Sequence, residues 1–325
     1  MHRRHIIALA AIAAFPVLFA ASASAQEWPQ KAIRLIVPFP PGGGTDIIGR
    51  VVGGKLSEQL KQPVVVDNKP GAGGNVGIDL AAKSAPDGYT IVLGQTSNLA
   101  VAPSLYSSLP YDPVKDLVPV ALLADAPVVM VVAQDSRFKS LAQIVSEAKQ
   151  KPASLNFGSP GSGTVAHLSG ELLQTVTGVK FTHIPYRGSS QALVDLIGGR
   201  IDLYMSSVPT ALGQIKGGKL RAIAVTSAAR SQALPNVPTM AEAGIKGVDL
   251  ATWFGILVPA KADPKIVERL NKELNTALEA PEVREKLSAE GGGPIGGTAE
   301  QFSARLKAEL PMWARIVRDS GAKVD

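Results

Sequence analysis

The chain has 325 residues, no cysteine, a formal net charge of +6 and 46% hydrophobic residues. The lack of cysteine excludes disulfides, thiolate metal sites and a catalytic thiol. The basic residues are spread along the chain without a Lys/Arg-rich block, so no nucleic-acid partner is expected.

Residues 1–25 have the pattern of a signal peptide that is removed on export. Arg3 and Arg4 precede an apolar run over 6–20, and the small residues 23–25 form a cleavage site before Gln26. The run is short for a bilayer, so a permanent anchor is not expected. The sequence predicts an exported, periplasmic protein, and the Arg3-Arg4 pair leaves twin-arginine export open beside the general secretory route.

Short apolar runs alternate with helical patterns along the first third of the chain. The predicted strands are 33–39, 63–67 and 90–94, and the predicted helices cover 47–60 and 75–83. Continuous Val, Ile and Leu strands separated by helices are typical of a parallel sheet covered on both faces. This pattern predicts a doubly wound α/β fold.

The alternation breaks at two adjacent apolar runs, 118–124 and 128–133, which no helix separates. We interpret these runs as the crossing from one lobe into another, and we expect the second lobe over 126–227. The alternation then resumes, with predicted strands at 155–158, 181–185 and 201–205 and helices at 141–150, 164–177 and 190–197.

The last third of the chain is expected to return to the first lobe. A strand over 220–226 can carry the chain back, and the chain beyond Asp263, a helix N-cap, is mostly helical. If those helices cover the first lobe, that lobe consists of 26–125 and 228–325. Two doubly wound lobes joined by a two-segment hinge enclose a cleft that can close on a ligand.

The most informative segment is the loop over 38–46, PFPPGGGTD, which follows a buried strand and opens a helix. Its glycines let the backbone approach a ligand, and free N–H groups at a helix start favour a carboxylate or a phosphate. A tight turn capped by Thr45 is the alternative. Phe39 and Pro40 are candidate contacts, whereas Asp46 is expected to order the loop or hold bridging waters, because its charge would repel an anion.

A second glycine-rich loop, 158–164, follows a predicted strand and opens the helix that carries His167. Ser159 is a candidate contact in this loop. Two helix starts, one in each lobe, are expected to hold the two ends of one small molecule such as a dicarboxylate. A flexible surface turn is the alternative interpretation.

Polar residues also follow other predicted strands, at the edge where open α/β sheets bind ligands. The candidate contacts there are Gln95 and Thr96 in the first lobe and Arg187 and Ser206 in the second. Arg187 can pair with a carboxylate through two hydrogen bonds. Helix capping and plain solvation are the alternatives for these residues.

Enzyme and metal motifs are weak in this sequence. Only His167 and His183 follow the predicted signal peptide, and no Gly-x-Ser-x-Gly elbow is present. A dinucleotide-dependent enzyme is a remote alternative, but Ile47 stands where the third glycine of that fingerprint belongs. We therefore expect no enzyme activity, no metal and no cofactor.

Segments along essentially the whole mature chain resemble, in order, the signature motifs of the Bug (TctC-like) receptors of tripartite tricarboxylate transporters. They include IRLIVPFPPGGGTD at 33–46, NKPGAGGN at 68–75, PDGYT at 86–90, LPYDP at 109–113, the loop and helix start at 158–167, PYRG at 185–188, GGRID at 198–202 and PNVPT at 235–239.

The resemblance implies a type II periplasmic binding-protein fold that closes like a Venus flytrap. Carried over to this sequence, it places in the ligand site Gly42, Gly43, Thr45, Asp46, Ser162, Thr164, His167 and Asp202. Asp202 has a structural cap as its alternative role. The implied ligand is a small organic carboxylate (a di- or tricarboxylate, an amino acid or an aromatic acid), and the implied partner is a two-component membrane permease. A monomer is expected. A periplasmic ligand sensor that feeds a signalling partner is the alternative function.

Overall fold

The computed structural model describes residues 28–324, so the predicted signal peptide lies outside the described residues. The described chain forms two α/β lobes that share one long strand. Its strands are β1 (Ile33–Val37), β2 (Val64–Asn68), β3 (Thr90–Gln95), β4 (Leu117–Ala133), β5 (Asn156–Ser159), β6 (Thr182–Pro185), β7 (Leu203–Ser207), β8 (Leu220–Val225), β9 (Ala251–Pro259) and β10 (Gly293–Pro294). Its α-helices are α1 (Gly44–Leu60), α2 (Asn75–Ala82), α3 (Ala102–Leu105), α4 (Leu141–Gln150), α5 (Val165–Thr177), α6 (Ser189–Ile197), α7 (Val208–Lys216), α8 (Pro264–Glu279), α9 (Pro281–Ala289) and α10 (Ala299–Ser320).

Each lobe is built on a sheet with the same order of its five main strands. The order is β2-β1-β3-β9-β4 in the first lobe and β6-β5-β7-β4-β8 in the second. In each sheet the fourth strand runs antiparallel to its neighbours, and the first three are parallel. Parallel strands place their carboxyl ends, and hence the loops that follow them, at one edge of the sheet. The two-lobe α/β architecture expected from the sequence is confirmed.

Strand β4 corrects one expectation. The runs 118–124 and 128–133 form a single strand of 17 residues, because the residues between them stay extended and pair with β9. Pro127 is the last of these paired residues, and from Val128 onward the strand pairs with β7 instead. A proline that donates no hydrogen bond fits the point where a strand leaves one sheet for another.

Helix α7 lies where the sequence analysis predicts no helix. It follows β7 directly, and it has Pro209 in its first turn, a position that suits proline because the missing N–H is not needed there. Gly213 inside the helix weakens its pattern. The difference matters, because the start of α7 faces the cleft between the lobes.

The pairing of β8 and β9 bears on where the chain returns to the first lobe. Strand β8 pairs with β4 inside the second sheet, and Met240 donates a backbone hydrogen bond to Val225. The chain joins the first sheet only where Ala251 of β9 pairs with Pro127. The lobe boundaries stay predictions, and we propose a return crossing near residue 250 in place of 227.

The C-terminal helices cover the first lobe and also reach the second. Helix α8 packs on α1 and β4, whereas α10 packs on β4, α3 and α5. Glu309 of α10 accepts hydrogen bonds from the indole nitrogens of Trp253, at 2.7 Å, and Trp313, at 3.1 Å. One buried core contains residues of both lobes, which holds the two sheets against each other around the cleft.

Candidate functional site

A small cavity lies between the lobes at the carboxyl ends of their strands. We call it the inner cavity. It leaves about 40 Å³ for the centres of water-sized groups. Its lining residues are Phe39, Pro40, Gly43, Gly44, Thr45, Gln95, Ser97, Pro160, Thr164, Val165, Ala166, Ser189, Ser207, Thr210 and Thr252. Both glycine-rich loops therefore face the same small space.

Helix α1 presents its first turn to this cavity. Gly43 at its N-cap has no capping side chain, and the first helical hydrogen bond runs from Ile47 to the Gly43 carbonyl. The N–H groups of the residues between them are left for partners outside the helix. The Gly44 N–H donates to the hydroxyl of Thr210 in the second lobe at 2.9 Å, and the Thr45 hydroxyl donates to Gln95 Oε1 at 3.1 Å.

Helix α5 makes the reciprocal arrangement from the second lobe. Its N-cap Thr164 accepts from the His167 N–H, while the Val165 N–H donates to the hydroxyl of Ser97 in the first lobe at 3.2 Å. Ala166, in the same first turn, also lines the cavity. Each lobe thus contributes a hydroxyl to the helix start of the other.

Helices α6 and α7 also begin at the inner cavity, with Ser189 and Ser207 at their starts. The four helix starts carry partial positive charges from their backbone dipoles. Within residues 28–324, no charged side chain lines the cavity. The arrangement can therefore bind an anion through backbone N–H groups and hydroxyls without a side-chain cation.

Asp46 anchors the first loop from behind. Its carboxylate accepts from the Gly42 N–H and from Arg50 Nε at 2.9 Å each, and from Asn68 Nδ2 at 2.9 Å. Burial by itself raises the pKa of the Asp46 carboxyl, but these hydrogen bonds outweigh it and hold the pKa below its ordinary value. The negative charge of Asp46 is therefore engaged in hydrogen bonds with the loop and with Arg50.

Two stacked histidines anchor the second loop. His167 Nδ1 accepts from the Gly163 N–H at 3.2 Å, and its ring lies 4.0 Å from that of His183. His183 Nε2 is 2.7 Å from the Ser159 hydroxyl. Burial, with repulsion from His167 as a lesser cause, lowers the pKa of His183 to about 3. His183 is therefore neutral at neutral pH.

Six of the contacts predicted from the sequence line the inner cavity, namely Phe39, Pro40, Gly43, Thr45, Gln95 and Thr164. Four lie behind the loops or within their anchors, namely Gly42, Asp46, Ser159 and His167. Direct contact of any of these residues with a ligand stays a prediction.

The remaining predicted residues are more distant. Ser162 and Arg187 line a second, larger space, which we call the outer chamber. Thr96 accepts from the Trp253 N–H at 2.9 Å, and Ser206 donates to the Ser207 carbonyl at 3.2 Å. Asp202 accepts from the Asn156 N–H at 2.8 Å, at the amino ends of β5 and β7 and away from the cavity.

Nine lining residues are not among the individually predicted contacts; they are Gly44, Ser97, Pro160, Val165, Ala166, Ser189, Ser207, Thr210 and Thr252. Gly44 and Pro160 nevertheless lie in the two predicted loops, and Ser97, Ser189 and Ser207 lie at or just after strand ends, where the rule used for Gln95 applies. Thr210 depends on α7, and Ser97 begins a π-helical turn over Ser97–Val101 that single-sequence patterns do not show.

Residues 28–324 contain neither a candidate membrane-spanning helix nor a candidate metal-binding cluster. None of the helices between residues 28 and 324 has the length and apolar character needed to cross a membrane. In the same range, no three His, Asp or Glu side chains gather into a cluster that could bind a metal ion.

Comparison with known proteins identifies the family. Residues 48–322 match the tripartite tricarboxylate transporter family receptor, TctC. Protein BugT of Bordetella pertussis is 41% identical over 325 residues, which is 100% of both chains. The structure of R. palustris Rpa4515 with adipate has a TM-score of 0.89 and 34% identity, and covers 92% of this chain and 100% of its own. MatC from Rhodopseudomonas palustris, with bound malate, has a TM-score of 0.85 and 30% identity, over 89% of this chain and 100% of its own.

The match extends over both lobes, and other structures that resemble the chain include the periplasmic binding protein BugD, with a TM-score of 0.87. The Bug (TctC-like) resemblance and the absence of an enzyme function are confirmed by these relatives. The chain belongs to the tripartite tricarboxylate transporter family of receptors, which are periplasmic solute-binding proteins and not enzymes.

Proposed function

We propose that this protein captures a small organic carboxylate in the inner cavity and delivers it to a two-component membrane permease of the tripartite tricarboxylate type. The observation that carries the proposal is the meeting of four helix starts around a cavity that no charged side chain of residues 28–324 lines. Backbone N–H groups and helix dipoles stabilise an anion there. Structures of relatives with adipate and with malate support a carboxylate as the solute.

The proposed place of action is the periplasm. Export to the periplasm through a signal peptide over residues 1–25 agrees with a family of periplasmic binding proteins. N-terminal sequencing of the protein from a periplasmic extract tests this part. The expected first residue is Gln26, and a protein retained in the cytoplasm with Met1 would contradict export.

Ligand binding is tested by a thermal-shift screen of adipate, malate, other di- and tricarboxylates and aromatic acids, each beside its neutral amide. An acid at 100 times its dissociation constant is expected to stabilise the protein by about 2.7 kcal/mol. The amide is expected to stabilise it much less, because it gains little from the helix dipoles. A panel in which no acid raises the melting temperature would contradict the proposal.

Delivery is tested by uptake of the tightest-binding acid, radiolabelled, in cells that lack either this receptor or the permease. Loss of uptake in both strains is expected. Normal uptake without the permease would favour a sensor in place of a transport receptor.

A further inference from the structure

A π-helical turn follows strand β3 and carries one of the residues that line the inner cavity. The turn covers Ser97–Val101, which are all buried, and Ser97 lines the cavity. Turns of this kind are rare, and they frequently lie at functional sites. The hydrogen bonds of its backbone show what holds this one in place.

The backbone of the turn leaves one carbonyl group without a helical donor. The Ala102 N–H donates to the Ser97 carbonyl, five residues back. In an α-helical register the same N–H would donate to the Asn98 carbonyl, four residues back. The next residue is Pro103, which has no N–H to offer Asn98 in the π register. Ser97 and Asn98 are both buried, so two carbonyls compete for one donor, and a buried carbonyl without a donor is costly.

The hydroxyl of Tyr111 supplies the missing donor. It lies 2.6 Å from the Asn98 carbonyl oxygen and 2.8 Å from Asn75 Oδ1. A hydroxyl has one proton, and the shorter contact assigns that proton to Asn98. Tyr111 is buried, and burial raises the pKa of its hydroxyl, so the donor stays protonated. Tyr111 is the central residue of the segment LPYDP over 109–113, which lies outside the lining of the inner cavity.

The turn positions two residues of the inner cavity, Ser97 and Gln95. Ser97 Oγ accepts from the Val165 N–H at 3.2 Å. Val165 is the first residue of α5, so its N–H has no partner within the helix. Asn98 Oδ1 accepts from the Gln95 N–H at 3.0 Å, and Gln95 Oε1 accepts from the Thr45 hydroxyl at 3.1 Å. A shift of the turn would therefore disturb one contact between the lobes and one contact at the start of α1.

We propose that Tyr111 is a positioning residue of the ligand site, whose hydroxyl holds the π-helical turn in the register that presents Ser97 to helix α5. Without this hydroxyl the Asn98 carbonyl competes for the Ala102 N–H, and the turn shifts toward an α-helical register. Ser97 then no longer accepts from the Val165 N–H. The effect on ligand binding rests on the proposed function, whereas the effect on the Val165 N–H does not.

Amide hydrogen exchange, followed by NMR on the purified protein without added ligand, tests the contact itself. In Tyr111→Phe the Val165 amide is expected to exchange about fivefold faster than in wild type, the effect of one lost hydrogen bond. The Gly44 amide is the internal control, because it also donates across the cleft, to Thr210 at 2.9 Å, from outside the turn. Its exchange is expected to stay unchanged. Unchanged exchange at Val165, or an equal acceleration at both amides, would overturn the inference.

A measurement on wild type keeps the inference testable if Tyr111→Phe does not fold. The hydroxyl proton of Tyr111 is expected to exchange slowly with water and to give its own NMR signal, because it is buried and donates to a buried carbonyl. A hydroxyl proton in fast exchange with water would overturn the inference.

A double-mutant cycle, with malate and adipate as the titrated acids, tests the effect on binding. Tyr111→Phe and Ser97→Ala are each expected to weaken binding about fivefold, and the double variant is expected to bind no more weakly than Ser97→Ala. Tyr89→Phe removes a hydroxyl before the amino end of β3, where it accepts from the Gln30 N–H. This matched control is expected to keep wild-type affinity.

Additive losses, which amount to about 25-fold in the double variant, would overturn the inference, because Tyr111 would then act by a route other than Ser97. Wild-type protein that binds neither acid would count against the proposed function, and the exchange of the Val165 amide would still decide the inference.

Discussion

The loop over 38–46 in the first lobe is held in place by a carboxylate, whereas its counterpart over 158–164 in the second lobe is held in place by two stacked imidazole rings. Asp46 receives hydrogen bonds from Gly42, Arg50 and Asn68. The second loop is instead held by His167 and by the neighbouring His183.

Both loops nevertheless present a helix start with free backbone N–H groups to the cleft. Asp46, His167 and His183 are not among the residues that line the inner cavity. The comparison teaches that the site needs rigid backbone in a fixed place, and that either an ionic or a neutral network can supply the rigidity. The Asp46 network and the histidine network can be disrupted separately by mutation.

Gly44→Ala is expected to have the largest effect. A Cβ at Gly44 would lie 2.9 Å from Ser207 Oγ, 2.9 Å from Thr210 Oγ1 and 3.1 Å from Pro209 Cβ, all in the second lobe. Overpacking of this kind costs about 1–3 kcal/mol, and the cost falls on closure. The affinity for the best acid is therefore expected to fall roughly 5- to 150-fold, as measured by calorimetric titration.

The matched control is Gly54→Ala in the same helix, because a Cβ there meets nothing within 4 Å. It is expected to keep wild-type affinity. Both variants should unfold near the wild-type temperature. Undiminished binding by Gly44→Ala would show that the lobes do not approach each other at α1 when ligand binds.

Removal of either reciprocal hydroxyl, that of Thr210 or that of Ser97, is expected to have the next largest effect. Thr210→Val leaves the Gly44 N–H without its partner from the second lobe, and Ser97→Ala does the same to Val165. Each variant is expected to weaken binding by about 1 kcal/mol, or roughly fivefold. Thr210→Ser keeps the hydroxyl and is expected to restore most of the affinity. A loss from only one of the two variants would show that the lobes do not contribute equally to closure.

Asp46→Asn tests the ionic anchor, with urea unfolding as the measurement. Hydrogen bonds to a charged acceptor are stronger than those to an amide, so a loss of about 1–2 kcal/mol of stability at pH 7 is expected. Because the pKa of Asp46 is lowered, its contribution is present above its ordinary pKa and is lost as the pH falls through its lower folded-state pKa. Asp87→Asn, at an exposed turn, is the control. Equal stability of Asp46→Asn and wild type would contradict an ionic anchor.

Replacement of His183 is expected to have the smallest effect, a change in how the stability of the protein depends on pH. Its pKa of about 3 in the folded protein lies below the ordinary value of 6.5, so the unfolded chain takes up a proton first as the pH falls. Stability is complete above pH 6.5 and declines below it. Between pH 7.5 and 5.5, wild type is expected to lose about 1 kcal/mol more than His183→Gln, whose amide does not titrate in this range. Parallel stability curves for the two proteins would contradict a neutral, half-buried His183.

The sequence predicts much of this fold because its strands are continuous apolar runs with helices between them. It also indicates the first loop, because three consecutive glycines there follow an apolar strand and precede a helical pattern. The sequence does not reveal which residues contact each other across the cleft between the lobes. Gly44, Ser97 and Thr210 come together only through the closure of two lobes, a contact between distant segments that local pattern does not encode.

Size is the other property that the sequence does not show. The two loops look like separate grips on two ends of a molecule, because the sequence carries no distance between them. In the structure both loops line one cavity of about 40 Å³.

A crystal structure of the protein with the tightest-binding acid of the panel tests the helix-start site most directly. The expected result is a carboxylate in the inner cavity, with its oxygens about 3 Å from the backbone N–H groups of Thr45 and Ala166 and without a side-chain cation beside that end. A carboxylate held at that end by a charged side chain, or an acid bound outside the cleft between the lobes, would contradict the account.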